Sequence, residues 1–147
     1  MEHTRLGRTG LQVSRLCLGT MTFGLQRDEP TAVAILDRAA EGGIDFLDTS
    51  DAYPLGGDLT TRGVTEEILG RWLQGKRDRF IVATKCFAPT GPARFDAGNS
   101  RKHILAVSRP PCDVCRPTTS TSTSFTDMTR KHRSTRRWAP STTLSIK

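Results

Sequence analysis

The sequence predicts an α/β protein whose strands run parallel. Three short apolar runs, residues 15–20, 44–48 and 80–86, alternate with helix-type patterns. Strands separated by helices pack side by side as parallel strands with right-handed crossovers. An open doubly wound sheet and a closed (β/α)8 barrel both satisfy this pattern. The loop after the first run lacks the spaced glycines of a dinucleotide-binding phosphate turn, which favours the barrel slightly.

The first 24 residues predict a hairpin followed by a strand. His3–Val13 alternates polar and apolar residues around Gly7 and Gly10, as expected for a short hairpin that caps a larger domain. Arg15–Thr20 is a candidate buried strand. It leads into Gly19–Gly24, where small residues would let a ligand approach the backbone closely. A plain turn explains this loop equally well.

A first helix is predicted to begin after Asp28. This residue is a capping acid, and Pro30 stands near the first helical position. Gly42-Gly43 ends the helix, because glycine tolerates the left-handed conformation of a C-terminal cap. Apolar residues spaced three and four apart form one stripe: Ala32, Ile35, Leu36, Ala39 and Ala40.

Two further helices are predicted. One begins near Thr65, with acidic residues in its first turn that suit the helix dipole, and stops at Gly75. Ser100 caps another, which begins at Arg101. The buried stripe of the helix near Thr65 is expected to contain Ile68, Leu69, Trp72 and Leu73.

The segment Gly43–Tyr53 contains the most informative residues. Its apolar run reads as a buried strand that ends at Asp48, and Tyr53 follows five residues later in the loop. Lys85 stands near the carboxyl end of the next strand, Phe80–Cys86. Enzymes with parallel strands keep their chemistry at this end of the sheet.

Asp48, Tyr53 and Lys85 together could reduce a carbonyl group. Such a reaction needs a hydride donor and a proton donor, and a free tyrosine, with a pKa near 10, is a poor acid at neutral pH. A nearby ammonium favours the phenolate form of a tyrosine, and a carboxylate can hold that ammonium in place. Spacing alone also permits a plainer interpretation, in which the three residues are a turn aspartate, a surface tyrosine and a solvated lysine.

These motifs resemble the aldo-keto reductase family. D-T-S-D-A-Y, which contains Asp48 and Tyr53, and V-A-T-K, which ends at Lys85, match the family's sequence around those residues. L-G-T-M-T-F-G, from Leu18 to Gly24, matches its first cofactor-side loop. Longer stretches such as T-E-E-I-L-G-R-W-L resemble a bacterial branch. A local departure is Arg62-Gly63-Val64, where the family pattern is V-G-R.

The resemblance implies residues 1–105 to be the N-terminal portion of a (β/α)8 TIM barrel, comprising the hairpin and about three βα units. It implies reduction of aldehydes or ketones with NADPH as cofactor. The catalytic residues would be Asp48, Tyr53 and Lys85. The cofactor-binding residues would be Gly19, Thr20, Met21 and Asp48. The family's fourth catalytic residue, a histidine after the next strand, has no counterpart in this sequence.

Residues 106–147 have a different composition. This segment contains eight Lys and Arg but only two acidic residues, so it carries +6 of the net charge of +7. It lacks helix or strand periodicity and is expected to be disordered. The basic run 130–137 beside Trp138 is a candidate nucleic-acid contact. Cys112-x-x-Cys115 has no second cysteine pair, so we predict no metal site.

The genetic code suggests that this tail is the same gene read out of frame. The family run D-Y-V-D-L-Y can be encoded as GAC TAC GTC GAC CTC TAC. Read from its second base, this gives T-T-S-T-S-T, the sequence of Thr118–Thr123. The same shift permits the family run E-A-S-L-R-R-L over Arg109–Cys115 and later family segments over Phe125–Thr143. We therefore place a frameshift near Ala106-Val107.

These observations also set the expected context of the protein. An out-of-frame tail has charge without selected geometry, so we predict no nucleic-acid partner. No apolar run is long enough to span a membrane, and no signal peptide is evident, which predicts a cytoplasmic protein with reduced cysteines.

The expected substrate is a small carbonyl compound, and the oligomeric state is left open. A partial barrel exposes sheet edges, so the chain itself is expected to be inactive. A non-catalytic cofactor-binding protein of the same fold is the alternative function.

Overall fold

The computed structural model describes residues 1–107, and the predictions for residues 108–147 lie outside this part of the chain. Its elements follow the predicted order. The strands are β1 (His3–Arg5), β2 (Gln12–Ser14), β3 (Cys17–Gly19), β4 (Phe46–Asp48) and β5 (Ile81–Ala83). The helices are α1 (Glu29–Glu41), α2 (Val64–Leu73) and α3 (Arg101–Val107), with a 3-10 turn at Arg77–Arg79 before β5.

The strands β3, β4 and β5 form a parallel sheet in that spatial order. Gly19 lies opposite Asp48, which lies opposite Ala83. The three strands therefore end at the same level, and the loops that follow them meet at one edge of the sheet. This alignment confirms the predicted parallel α/β class and creates the edge at which the candidate site lies.

Both long helices pack on the sheet through the predicted apolar stripes. Asp28 caps α1 by accepting a hydrogen bond from the Thr31 amide (3.1 Å), and α2 begins after Gly63, whose φ is +82°. The helices are also joined by polar contacts, since the Arg71 guanidinium binds the Glu29 carboxylate through two nitrogens (2.8 and 2.9 Å). The shared core contains Phe23, Ala32, Leu36, Leu47, Ile68, Leu69, Trp72, Leu73 and Phe80.

The N-terminal hairpin packs at the amino ends of the parallel strands. Asp45, directly before β4, binds it through both carboxylate oxygens. Oδ1 accepts a hydrogen bond from the Ser14 amide (2.8 Å), and Oδ2 lies 2.9 Å from His3 Nε2. The Asp45 amide in turn donates to Ser14 Oγ (3.2 Å). The predicted hairpin is thus confirmed, and it covers the end of the sheet opposite the candidate site.

The first strand of the sheet differs from its prediction in length and burial. The strand was predicted to be buried and to cover Arg15–Thr20, but in the structure it comprises only the three residues of β3. Cys17 is exposed, and the preceding Leu16 is 58% exposed. β3 is an edge strand, because within residues 1–107 its only neighbour in the sheet is β4. Burial of this strand therefore requires protein that residues 1–107 do not provide.

Candidate active site

The residues that follow the strands are held to one another by backbone hydrogen bonds. The Thr20 amide donates to the Asp48 carbonyl (3.0 Å), and the Thr20 hydroxyl donates to the same oxygen (2.9 Å). On the other side of β4, the Thr49 amide donates to the Ala83 carbonyl (2.8 Å). These bonds fix the side chains at the carboxyl edge of the sheet relative to one another.

Lys85 lies at the centre of the predicted site. Its ammonium donates to Asp48 Oδ1 (2.5 Å) and to the Thr49 carbonyl (2.9 Å), and it lies 3.3 Å from the Tyr53 hydroxyl. The structure thus brings together Asp48, Tyr53 and Lys85, as the sequence predicts. The Lys85 and Asp48 side chains remain partly open to solvent, with 42% and 31% exposure, so a small molecule can reach them.

The pKa of Lys85 follows from these contacts. Burial lowers this pKa, but the hydrogen bond and the charge of Asp48, together with Tyr53, raise it above its ordinary value. The side chain consequently stays an ammonium at neutral pH. A permanent positive charge beside the Tyr53 hydroxyl stabilises any negative charge that develops on that oxygen.

Tyr53 is positioned by the backbone on both sides of it. Its amide donates to the Ser50 carbonyl (3.1 Å), and its carbonyl accepts from the Gly63 amide (3.1 Å). Two residues after Tyr53, the Leu55 amide donates to the Met21 carbonyl (2.8 Å). The loop after β4 is thereby tied both to the start of α2 and to the loop after β3.

The loop that is predicted to bind a cofactor has free space at Gly19, whereas the Thr20 side chain is buried and hydrogen-bonded. A side-chain carbon placed on Gly19 would meet no heavy atom within 4 Å, so there is free space beside β3 at the level of Asp48. Met21 is 44% exposed. The buried Thr20 hydroxyl is instead donated to the Asp48 carbonyl, so this side chain supports the sheet edge.

Three residues with buried polar atoms, Asp51, Arg62 and His103, are not predicted by the sequence patterns. Asp51 is 8% exposed and His103 is 2% exposed, and two nitrogens of Arg62 are also buried. Within the motif D-T-S-D-A-Y, the second aspartate gave no separate signal, since the groups that act electrostatically on its carboxyl, His103 and Arg62, lie further along the chain. The only hint in the sequence was the departure from the family pattern at Arg62-Gly63-Val64.

Cys17 lies beside the same site on β3. Although Cys17 is an exposed residue, partial burial of its sulfur and the nearby Asp48 carboxylate raise the pKa of its thiol to about 11, and Lys85 acts in the opposite direction. A thiol of this kind is almost entirely protonated at neutral pH and reacts slowly.

Alkylation of Cys17 reports on this arrangement. In a variant with serine at Cys86, Cys112 and Cys115, iodoacetamide should modify Cys17 at about pH 8 on the order of a hundredfold more slowly than an unperturbed thiol. Asp48→Asn in the same background should accelerate the reaction, because it removes a negative charge that opposes the thiolate. Unchanged kinetics in that variant would show that the carboxylate does not act on the thiol.

Metal ligands and membrane spans can be assessed only in the part of the chain that the structure describes. Residues 1–107 hold no group of three His, Cys, Asp or Glu side chains that could bind a metal ion. None of the helices in this range is long and apolar enough to cross a membrane.

The fold and the site define an α/β protein with a polar site at the carboxyl edge of a parallel sheet. Residues 15–109 match the Aldo/keto reductase family, and the chain belongs to that family. The predicted resemblance is therefore confirmed over most of residues 1–105.

Individual relatives support the same assignment. The chain is 51% identical over 92 residues to the uncharacterized oxidoreductase YrpG of Bacillus subtilis, covering 60% of this chain and 27% of the relative. It is 38% identical over 109 residues to a probable voltage-gated potassium channel subunit beta of Arabidopsis thaliana, covering 71% of this chain and 31% of that protein. This chain thus spans between a quarter and a third of these relatives.

A solved structure supports the fold. The holo form of an aldo-keto reductase from Bacillus halodurans superposes with a TM-score of 0.58 at 33% identity, covering 74% of this chain and 34% of that one. The described part of the chain is thus the N-terminal portion of a TIM-barrel-type α/β fold, which confirms the predicted fold class.

Proposed function

We propose that this chain is the N-terminal part of a reductase that converts aldehydes or ketones to alcohols with NADPH. The observation that carries the proposal is the position of the Lys85 ammonium, 2.5 Å from Asp48 Oδ1 and 3.3 Å from the Tyr53 hydroxyl. This arrangement suits a tyrosine that gives a proton to a carbonyl oxygen beside a fixed positive charge.

Each of the three side chains has a distinct role in this proposal. Tyr53 donates the proton to the substrate oxygen and is left with negative charge on its own oxygen. Lys85 stabilises that charge, since its ammonium is already in contact with the hydroxyl. Asp48 orients Lys85 and balances its charge, which keeps the cost of partly burying the ammonium low.

NADPH, when bound, would supply the hydride. Free space beside Gly19 at the level of Asp48 leaves room for a ligand next to the site. We propose that Gly19, Thr20, Met21 and Asp48 contribute to the cofactor site, with Thr20 acting through the sheet edge that it supports. The substrate would be a small carbonyl compound, and we expect the protein to work in the cytoplasm.

We propose that the chain as it stands is inactive, because residues 1–107 supply only three parallel strands. It spans only 27% and 31% of the relatives above, and β3 has an uncovered edge within residues 1–107. The tail after residue 105 would be the continuation of the same gene in another frame, as Thr118–Thr123 suggests.

Sequencing and expression of the gene test both parts of this proposal. Sequencing from the codon for Ser100 past that for Lys147 should reveal that one base restores an open frame encoding a histidine after the next strand. The frame-restored protein should oxidise NADPH in the presence of aldehydes or ketones, and the 147-residue chain should not. Activity of the short chain would contradict its proposed inactivity. Absence of turnover by a folded, NADPH-binding long form would contradict the reductase proposal.

A second candidate function is non-catalytic NADPH binding in a regulatory protein. It is favoured by the similarity to the probable voltage-gated potassium channel subunit beta, which is 38% identical over 109 residues. The frame-restored protein would then bind NADPH in the absence of substrate and reduce none of a panel of carbonyl compounds. The Lys85 contacts favour the reductase, because binding alone does not need an ammonium at a tyrosine hydroxyl.

A further inference from the structure

Two loops at the carboxyl edge of the sheet are joined by hydrogen bonds that play no part in the proposed proton transfer. The β3 loop comprises residues 20–28, and the β4 loop comprises residues 49–63 and contains Tyr53. The register of parallel strands fixes only the start of each loop. Because β4 ends at Asp48, five residues before Tyr53, the position of the tyrosine depends on what holds the loop itself.

Leu55 is bound to the β3 loop through both of its backbone polar groups. Its amide donates to the Met21 carbonyl (2.8 Å), and its carbonyl accepts a hydrogen bond from Gln26 Nε2 (2.5 Å). The following residue, Gly56, has a φ of +87°, and a side-chain carbon on it would lie 3.7 Å from Gln26 Nε2. The β4 loop is thus fixed to the β3 loop two residues after Tyr53, and Gln26 supplies the side chain for this contact.

The β3 loop is in turn fixed to the first turn of α2. The Thr65 hydroxyl donates to the Phe23 carbonyl (2.6 Å), and the two residues are only 0% and 2% exposed. Gly24 lies so close to the helix that a side-chain carbon on it would come within 2.6 Å of Val64 Cγ1. A buried carbonyl that loses its donor is costly, so the Thr65 bond opposes movement of this loop away from α2.

These contacts form a closed cycle that includes Tyr53. The Gly63 amide, directly before α2, donates to the Tyr53 carbonyl (3.1 Å). Two residues after Gly63, the Thr65 hydroxyl reaches the β3 loop, and the β3 loop returns through Leu55 to the chain beside Tyr53. The backbone around Tyr53 therefore cannot move relative to α2 or to the β3 loop without breaking a hydrogen bond of the cycle.

We propose that Gln26 and Thr65 are positioning residues that hold the Tyr53 hydroxyl at its place beside the Lys85 ammonium, 3.3 Å away. Gln26 acts by fixing Leu55, and Thr65 acts by fixing the β3 loop to which Leu55 is bound. This inference rests on the proposed reductase function for its catalytic meaning. The placement of Tyr53 itself can be measured without turnover.

The single tyrosine of the chain makes a direct test possible. The full 147-residue chain labelled with 13C at the tyrosine Cζ should give one NMR resonance, from Tyr53. Gln26→Met and Thr65→Val remove a donor but keep a side chain of similar size, and each should shift this resonance because the phenol moves relative to the Lys85 ammonium. Thr65→Ser keeps the hydroxyl and should retain the wild-type position. Gln74→Met, which replaces an exposed glutamine at the end of α2, is the matched control and should leave the resonance in place.

A second measurement, on the wild-type chain, covers variants that fail to fold. Leu55 and Leu59 belong to the same loop and have equally exposed side chains, at 55% and 54%. The Leu55 amide is bonded to Met21, whereas the Leu59 amide has no hydrogen-bond partner within residues 1–107. The Leu55 N–H should therefore exchange with solvent at least about tenfold more slowly than the Leu59 N–H. In Gln26→Met, exchange at Leu55 should accelerate toward the Leu59 rate.

The frame-restored protein provides the catalytic measurement. Gln26→Met should lower kcat for carbonyl reduction by about tenfold or more, since misplacement of a catalytic group by about 1 Å can cost a hundredfold. Thr65→Val should act in the same direction, and Thr65→Ser should recover most of the rate. A kcat that stays at the wild-type value in a variant whose Tyr53 resonance has shifted would contradict the catalytic part of the proposal.

The outcomes separate this inference from the reductase proposal. A Tyr53 resonance that is unmoved in folded Gln26→Met and Thr65→Val, or Leu55 exchange as fast as that of Leu59, would overturn the positioning role, even if the frame-restored protein is an active reductase. Shifts of the Tyr53 resonance in a protein whose frame-restored form reduces no carbonyl compound would support the placement of Tyr53 by Gln26 and Thr65 and refute only the reductase function.

Discussion

Tyr53→Phe in the frame-restored protein is expected to lower kcat for carbonyl reduction by on the order of a hundredfold to ten-thousandfold, the usual contribution of a positioned acid. Phenylalanine keeps the aromatic ring but removes the hydroxyl that lies 3.3 Å from the Lys85 ammonium. Among the groups in residues 1–107 that hydrogen-bond to that ammonium, only the Tyr53 group is a hydroxyl. The rate of NADPH oxidation under saturating substrate measures the effect.

The same variant should bind NADPH about as tightly as the wild type, because the change spares Gly19 and the sheet edge. Fluorescence titration of NADPH provides this control. Arg38→Gln, on the exposed face of α1, is the matched surface substitution and should leave kcat unchanged. A kcat for Tyr53→Phe within about twofold of the wild-type value would be incompatible with proton donation by this residue.

The main features of the site could be predicted because they depend on local sequence. Asp48 and Lys85 each end an apolar run, and parallel strands bring such ends together, which the structure confirms in the register of β4 with β5. To predict the position of Tyr53, only one further assumption was needed, namely that its loop folds back over the sheet. That loop is held by short-range bonds such as the one from the Tyr53 amide to Ser50.

The features that could not be predicted depend on partners distant in the sequence. Asp45 is separated by 42 residues from His3, which it binds, so its role in fixing the hairpin has no local signature. His103 looked like an ordinary helical residue, and its burial follows only from how α3 packs. The exposure of β3 has a different cause, because burial of an edge strand depends on what lies beside it.

Lys85→Met should cause a loss of comparable size. The substitution leaves an apolar chain of similar length in place of the ammonium, and kcat should fall by on the order of a hundredfold or more, as for the loss of a preorganised charge in an active site. The wild-type pKa of Lys85 is raised by Asp48 above its ordinary value, so the side chain is charged throughout the neutral range. The loss should therefore appear at every pH in that range.

Asp48→Asn distinguishes orientation from chemistry. If Asp48 works only by holding and balancing Lys85, this variant should lose on the order of ten- to a hundredfold in kcat, as supporting partners of functional groups commonly do. In the double variant Asp48→Asn/Lys85→Met, the carboxylate has no ammonium left to orient. Its kcat should then lie close to that of Lys85→Met alone.

The comparison of single and double variants is informative because groups that act as a unit are strongly non-additive. Losses that multiply would show that Asp48 acts independently of Lys85, for example through the cofactor, for which it is also a candidate contact. Lys85→Arg is a further control: it keeps the positive charge but cannot reproduce the compact ammonium that lies between Asp48 and Tyr53. Partial activity in this variant, well above that of Lys85→Met, would indicate that charge matters more than the placement of a single donor.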